Sequence, residues 1–253
     1  MPLIETESLI LKTYDLADAD KVVLLLTRDH GIVRGVAKGA KRLKSRFGSA
    51  LEPFSVVRAT YFQKEVLELV SIQKLDLVDS YFASASDPEF LQKFSYLTEI
   101  LVGSLPPQDP NENLYRMTRA SLQAAAELPG RLVEIGLYFE IWLLRLTGYL
   151  PQWRKCSECG REFETGEPAG LGADQELVCG RCRRLAPMVN IGPYERQVLA
   201  DALRLAPADF AQRDSAGVSL VELSNIFKRV ISQTLGRPIS ENRPLVANIY
   251  GQQ

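Results

Sequence analysis

The first eighty residues are written in one texture and the remainder in another, and that break restricts the fold more than any other feature. Five early runs, "SLILKTYD", "KVVLLLTRD", "GIVRGVAKG", "FSVVRATYFQ" and "VLELVSIQKLDLV", concentrate Val, Ile, Leu, Thr and aromatics, with Asp, Gly or Pro between them. Five strands in so short a span predict a small barrel. A five-stranded OB-fold is one such barrel and commonly binds oligonucleotides. An SH3-like barrel or a half-sandwich satisfies the same pattern.

After Ser80 the periodicity becomes helical. "DPEFLQKFSYLTEILVG" opens with Asp87 as N-cap and Pro88 at the first helical position, and Phe90, Phe94, Leu97 and Leu101 recur at helical spacing. "PPQDPN" then breaks the chain. Helices are predicted over about 111–128 and 131–148, the second apolar on so many faces that it should be buried at the centre of its domain. Another begins near Pro193, and Ser219 with Glu222 reads as a capping box. The fold class expected is therefore α+β and multidomain: a barrel over 1–80, then a helical domain over 81–253 with a cysteine-bearing insert at about 153–185.

With 253 residues, 46% of them hydrophobic, the chain can bury real cores and is no disordered polymer. Its 30 basic and 31 acidic side chains nearly cancel, so any nucleic-acid site must be a local concentration of charge. "MPLIETESLILK" lacks the charged and apolar regions of a secretion signal. The apolar segment "IGLYFEIWLLRLTGYL" is interrupted by Glu140 and Arg145 and is too short for a membrane span. A cytoplasmic protein with no membrane partner is expected.

All four cysteines fall in the insert, as "CSEC" at 156–159 and "CGRC" at 179–182. Two short turns, each offering two thiolates at this separation, make a tetrahedral zinc site of Cys156, Cys159, Cys179 and Cys182. Gly160 and Gly180 suit turns that need positive φ. Two disulfides or redox-active dithiols are the competing reading, disfavoured by the cytosolic setting and the lack of a thioredoxin-like βαβ context. Four thiolates close the coordination shell, so the single Zn2+ expected is structural. The one histidine, His30, lies in the turn "RDHGIV" and reads as a polar turn residue; "GVAKGAK" is no phosphate-binding P-loop. No catalytic residue is assigned, and the protein is expected not to be an enzyme.

The stretch "AKGAKRLKSRFGSALEPF" places Lys38, Lys41, Arg42, Lys44 and Arg46 together, with no acidic residue before Glu52 and with Gly39 and Gly48 to let backbone approach a ligand. Such a loop has the chemistry to contact several phosphates at once. Phe47, Phe54, Tyr61 and Phe62 lie close enough to stack bases, although alternation makes Phe54 and one of Tyr61 and Phe62 better core residues. Arg154, Lys155, Arg161, Arg181, Arg183 and Arg184 form a second basic cluster, diluted by Glu158, Glu162 and Glu164.

The block "LILKTYDLADADKVVLLLTRDHGIVRGVAKGAKRLKSRFGSALEPF", and "LTGYLPQWRKCSECG" followed by "VCGRC", resemble in content and order the bacterial RecO family of DNA repair and recombination mediators, from about residue 3 to 240. The resemblance implies an N-terminal OB-fold, a helical domain with a zinc element, binding of single- and double-stranded DNA, and annealing of complementary strands. It also implies work with RecR and single-stranded DNA-binding protein in loading RecA, hence indirect partnership with RecA and association with the nucleoid during repair. Basic OB-fold residues of the family map onto Lys38, Lys41, Arg42, Lys44 and Arg46. The acidic, apolar-ended tail of the single-stranded DNA-binding protein would ask for an apolar pocket rimmed by Lys or Arg, expected in the helical domain. Two other classes satisfy the residues alone: a zinc-ribbon enzyme acting on nucleic acid, which needs carboxylates clustered in a cleft, and an interaction adaptor whose OB-fold is vestigial.

Overall fold

The β-rich runs become strands β1 (Leu3–Leu16), β2 (Asp20–Thr27), β3 (Gly31–Ala37), β4 (Val56–Phe62) and β5 (Leu69–Asp79) in the computed structural model, which describes residues 2–16, 18–63, 69–164, 166–183, 189–214 and 219–239. They close into a barrel in the order β1-β2-β3-β5-β4, with β4 returning to β1; β3 and β5 run parallel and every other pair antiparallel. This is the OB-fold expected from the pattern. One strand serves two neighbours: residues 3–9 of β1 pair with β4 and residues 8–16 with β2, and the register shifts between Ile10 and Lys12 where the strand must bend.

Ile10, Val23, Leu25, Val33, Val57, Tyr61 and Ile72 fill the barrel. The bore is narrow at Gly35, where a Cβ would lie 2.7 Å from the Ile72 side chain, so only glycine fits. Phe54 sits at φ 66, a left-handed conformation uncommon for a bulky residue. Its N–H donates to the Ile10 carbonyl at 2.7 Å, and Ile10 N–H donates in turn to the Ser55 carbonyl at 2.9 Å. Those two bonds hold the unusual backbone in place.

Next come α1 (Phe82–Ala85), α2 (Pro88–Ser104) and α3 (Glu112–Glu127). Asp87 caps α2 by accepting the Glu89 N–H, and Asn111 caps α3 by accepting the Leu114 N–H. The Phe54 ring meets Phe90 and Phe94 of α2 edge-on at 6.1 and 5.8 Å, while Glu7 of β1 accepts hydrogen bonds from Tyr115 Oη at 2.9 Å and Arg119 Nη1 at 2.6 Å on α3. Through these contacts the first compact unit takes in Met1–Pro129, and the second is Gly130–Ile239. The change of sequence texture at 80 is a change of secondary structure, and the packing carries the first unit three helices further.

The second unit is built around α4 (Leu132–Thr147), which stops at Gly148 in the left-handed conformation. The insert follows, with β6 (Ala169–Leu171), β7 (Leu177–Val178) and β8 (Val189–Ile191) in a sheet of order β7-β6-β8. Then come α5 (Pro193–Arg204), α6 (Pro207–Gln212) and α7 (Leu220–Leu235), the last capped by Ser219 accepting the Glu222 N–H. α5, α6 and α7 all pack on α4, the central helix anticipated from its composition. Its Trp142 donates to the Ala202 carbonyl at 2.8 Å, and its buried Glu140 accepts from Ser224 Oγ at 2.7 Å. Among the described residues no helix is long and apolar enough to cross a membrane.

Candidate functional site

The two cysteine turns are held by backbone hydrogen bonds that aim four sulfurs at one point. In the first, Gly160 N–H donates to the Cys156 carbonyl at 2.9 Å, with Gly160 at φ 71. In the second, the N–H groups of Cys182 and Arg183 donate to the Cys179 carbonyl at 3.0 and 2.9 Å. Ser157 N–H donates to the Leu177 carbonyl, fastening the first turn to β7. Gly180 departs from expectation, since its φ is not positive and the second turn closes without a left-handed residue.

All four sulfurs lie within 4.8 Å of one another, and Cys159 Sγ is 3.9 Å from Cys179 Sγ. A tetrahedral ion with metal–sulfur bonds of about 2.3 Å requires sulfur separations of about 3.8 Å. None of the four is in a disulfide. Cys179 N–H donates to Cys156 Sγ at 3.3 Å, the amide-to-sulfur contact that stabilises thiolate charge. The Cys179 thiol is held down to about 6, first by the Cys182 backbone N–H, whereas Cys182 is pushed up to about 12, first by Cys159 and then by Cys179. Four thiolates this close repel, and a divalent cation removes the conflict. The residues fit a thiolate-bound metal ion. Among the described residues they are the one group of three or more His, Cys, Asp or Glu placed to hold an ion.

The insert is braced from both sides. Arg161 Nη1 donates to Glu167 Oε2 at 2.9 Å and holds that carboxyl down to about 2, with the Glu164 N–H assisting. Trp153 donates to the Gln175 carbonyl at 2.9 Å and stacks on Phe227 of α7 at 5.2 Å. Between the insert and α5 lies a cleft of about 580 Å3, walled by Leu150, Pro151, Trp153, Phe163 and Leu199, with Arg154 and Arg196 but also Glu162 and Glu164 in its lining. The Arg196 guanidinium sits 5.0 Å above the Phe163 ring, and its buried Nη1 has no hydrogen-bond partner among the described residues.

The basic loop 38–46 leaves β3 and returns at the 3-10 turn Gly48–Leu51. Its root is tied to the β1–β2 connection: Gly39 N–H donates to Asp20 Oδ1 at 2.7 Å, Lys41 N–H to the Ala19 carbonyl at 2.9 Å, and Lys41 Nζ pairs with Asp15 Oδ2 at 3.1 Å. Two turns, Arg42 N–H to the Gly39 carbonyl and Ser45 N–H to the Arg42 carbonyl, shape the tip. The run therefore does have acidic partners, brought from the preceding hairpin. Lys41 is neutralised by Asp15, and Arg46 turns back to the Phe47 ring and the Ile72 carbonyl. Lys38, Arg42 and Lys44 are exposed, with no ion pair among the described residues.

Among the described residues no exposed aromatic lies on the loop. Phe47, Phe54 and Tyr61 are buried and Phe62 is half-buried on β4, so the core reading of these rings holds. His30 is in the turn after β2, its N–H donating to Thr27 Oγ1. The second basic cluster is dispersed: Arg161 is paired with Glu167, Arg183 donates to Asn190 Oδ1, Arg154, Lys155 and Arg181 are exposed, and Arg184 lies outside the described residues.

Residues 1–81 match the family described as Recombination protein O N terminal, and residues 86–243 match Recombination protein O C terminal. The chain belongs to the RecO family of DNA repair proteins. Relatives include the DNA repair protein RecO of Koribacter versatilis, 33% identical over 205 residues covering 81% of this chain and 82% of that one. Those of Geobacter metallireducens and Bifidobacterium longum are 29% and 33% identical, covering 93% of both chains and 75% and 80% of the two chains respectively. In this RecO-family chain the sequence reading missed Asp15 and Asp20, which root the loop from 26 and 19 residues away. Neither carries a local signal.

Proposed function

We propose that this chain binds single- and double-stranded DNA through the loop 38–46 of its barrel, anneals complementary single strands, and with RecR helps load RecA onto strands coated by single-stranded DNA-binding protein. The observation that carries the reading is the loop itself, fixed at its root by Asp15, Asp20 and Ala19 while Lys38, Arg42 and Lys44 stand unpaired at the surface. Two strands repel through their phosphates. A fixed cluster of cations that touches both lowers the repulsion and leaves the bases free to pair. Lys41 and Arg46 belong to the same site in a supporting role, shaping the loop before they contact phosphate. The protein acts by binding and not by catalysis, in the cytoplasm and at the nucleoid during repair.

The division of labour follows the two textures. The barrel, 1–80, carries DNA contacts, and the helical part, 81–253, carries the partner contacts and the insert. The ion at Cys156, Cys159, Cys179 and Cys182 is one structural zinc, whose contribution is to cross-link two turns that share little core. The cleft beside it, with apolar walls, has Arg154 and Arg196 to meet the acidic part of the tail of single-stranded DNA-binding protein, which must lie on their side and away from Glu162 and Glu164.

The test is annealing of two labelled complementary oligonucleotides by the full chain, with and without single-stranded DNA-binding protein, alongside the K38A/R42A/K44A variant. Each phosphate contact contributes about 0.7 to the salt slope of log K for a single strand, so three lost cations should lower the slope by roughly 2 and slow annealing in parallel. A folded variant with unchanged slope and annealing rate would place the DNA site elsewhere and leave the barrel vestigial.

A further inference from the structure

Leu43 stands at the tip of the basic loop, between Arg42 and Lys44, with its side chain fully in solvent: its relative exposure is 103%, against 69% for Tyr194, the next most exposed large apolar residue. Isolated apolar residues on a surface are ordinary. This one differs in being presented. The loop that bears it is bonded to the β1–β2 connection at one end and sunk into the barrel core through Phe47 at the other, and two backbone turns set the tip between them. Its full exposure means that none of the neighbouring basic stems covers it.

Single-strand sites usually combine cations that follow the backbone with aromatic side chains on which the bases stack. Among the described residues the first component is present on this loop and an exposed aromatic is not: Phe47, Phe54 and Tyr61 are buried, and Tyr14 and Phe62 are half-buried on the barrel strands. Leu43 is the exposed large apolar side chain described on this loop, between Arg42 and Lys44. In proteins that bind the minor groove of a duplex, apolar side chains such as Leu insert between successive base steps and partly unstack them, and the same wedge chemistry is open to a single strand. We infer that Leu43 is a wedge that enters the base stack of the strand whose phosphates the loop holds, a base-contacting residue that keeps bases apart and accessible to a complementary strand. The inference rests on the proposed function of the loop. A lipid surface is the other apolar environment that accepts a leucine among cations, but stable membrane attachment requires more apolar surface than one side chain supplies.

The test uses the full chain and an oligonucleotide carrying 2-aminopurine at an internal position, whose fluorescence rises when it is unstacked. Saturating wild-type protein should raise the emission severalfold. L43A should keep the wild-type salt slope, because the cations are intact, bind roughly tenfold more weakly and lose the emission increase. L43W should restore the increase and show its own tryptophan emission quenched by the strand. The wedge is refuted if wild type leaves the probe stacked, or if L43A matches wild type in affinity and emission while K38A/R42A/K44A loses its slope. In that second result the phosphate reading survives alone. If the triple variant keeps its slope, the site itself is misplaced, a separate failure. Leu43-dependent flotation with phosphatidylserine vesicles, with DNA binding unchanged in L43A, would overturn the inference in favour of a membrane contact.

Discussion

Phe54 offers a test in which glycine should be a better core substitution than alanine. Both F54A and F54G remove a ring that is 2% exposed and delete its edge contacts with Phe90 and Phe94. Loss of a buried Phe side chain costs about 3–5 kcal/mol in all, the aromatic edge contacts of about 0.5–1.5 kcal/mol each included, and falls equally on both variants. Alanine then still suffers the left-handed backbone at φ 66, a cost of about 1–2 kcal/mol that glycine escapes, less the extra chain entropy glycine loses on folding. F54G should therefore be the more stable of the two by about 1 kcal/mol, the reverse of the usual order inside a protein. Both tryptophans, Trp142 and Trp153, lie in the second unit, so urea unfolding of the barrel is followed by near-ultraviolet circular dichroism of its tyrosines. An F54A midpoint at or above that of F54G would show that the position is not held left-handed and that the bonds to Ile10 and Ser55 do not fix it.

Cys159→Ser should lower the metal content found by elemental analysis, which the proposed function puts at one zinc per chain, and lower the melting temperature of the second unit read from Trp153 emission; structural zinc sites contribute about 10–16 kcal/mol of apparent binding free energy. Tyr61 is the opposite case: its buried hydroxyl has no hydrogen-bond partner among the described residues, and burial, then Asp29, pushes it up to about 12. Its contribution to stability is complete below the unfolded value near 10 and is lost as pH rises through 12, so Y61F should melt at or above wild type at pH 7 and clearly above it at pH 11. Arg196→Ala, in the full chain, should weaken binding of an acidic peptide with an apolar end and flatten its salt dependence while leaving the affinity for a single strand unchanged; equal peptide binding by both proteins would remove the cleft as its site.

Where a signal was local the sequence was sufficient. Asp87 with Pro88 and the 156–159 and 179–182 pairs declare themselves within a few residues and do in the fold what their spacing predicts, and Ser219 caps α7 by accepting the Glu222 N–H, one half of the box expected there. The alternation of β4 separates buried Tyr61 from half-buried Phe62. What was not legible was decided by partners far along the chain. Lys41 is unpaired when read from its neighbours, and Asp15 joins it only because β1 and β2 turn back beside β3. Nothing in "LEPF" announces a left-handed phenylalanine, since that conformation is imposed by the Ile10 carbonyl and amide. α6, begun by Pro207, and the short strands β6 to β8 were also unanticipated, being too brief to show a period.

The double duty of β1 has a consequence in time. Leu3 pairs with Phe62, so the first residues of the barrel can complete their hydrogen bonds only after some sixty more have been made. On the ribosome β2 can cover the later half of β1 almost at once, while the earlier half waits as an unpaired edge for β4. During that interval the nascent chain offers a strand to any neighbour that can pair with it. The alternating Glu5 and Glu7 on that half, charged and spaced to ride one face of the edge, are what this protein has to discourage the wrong match until β4 arrives.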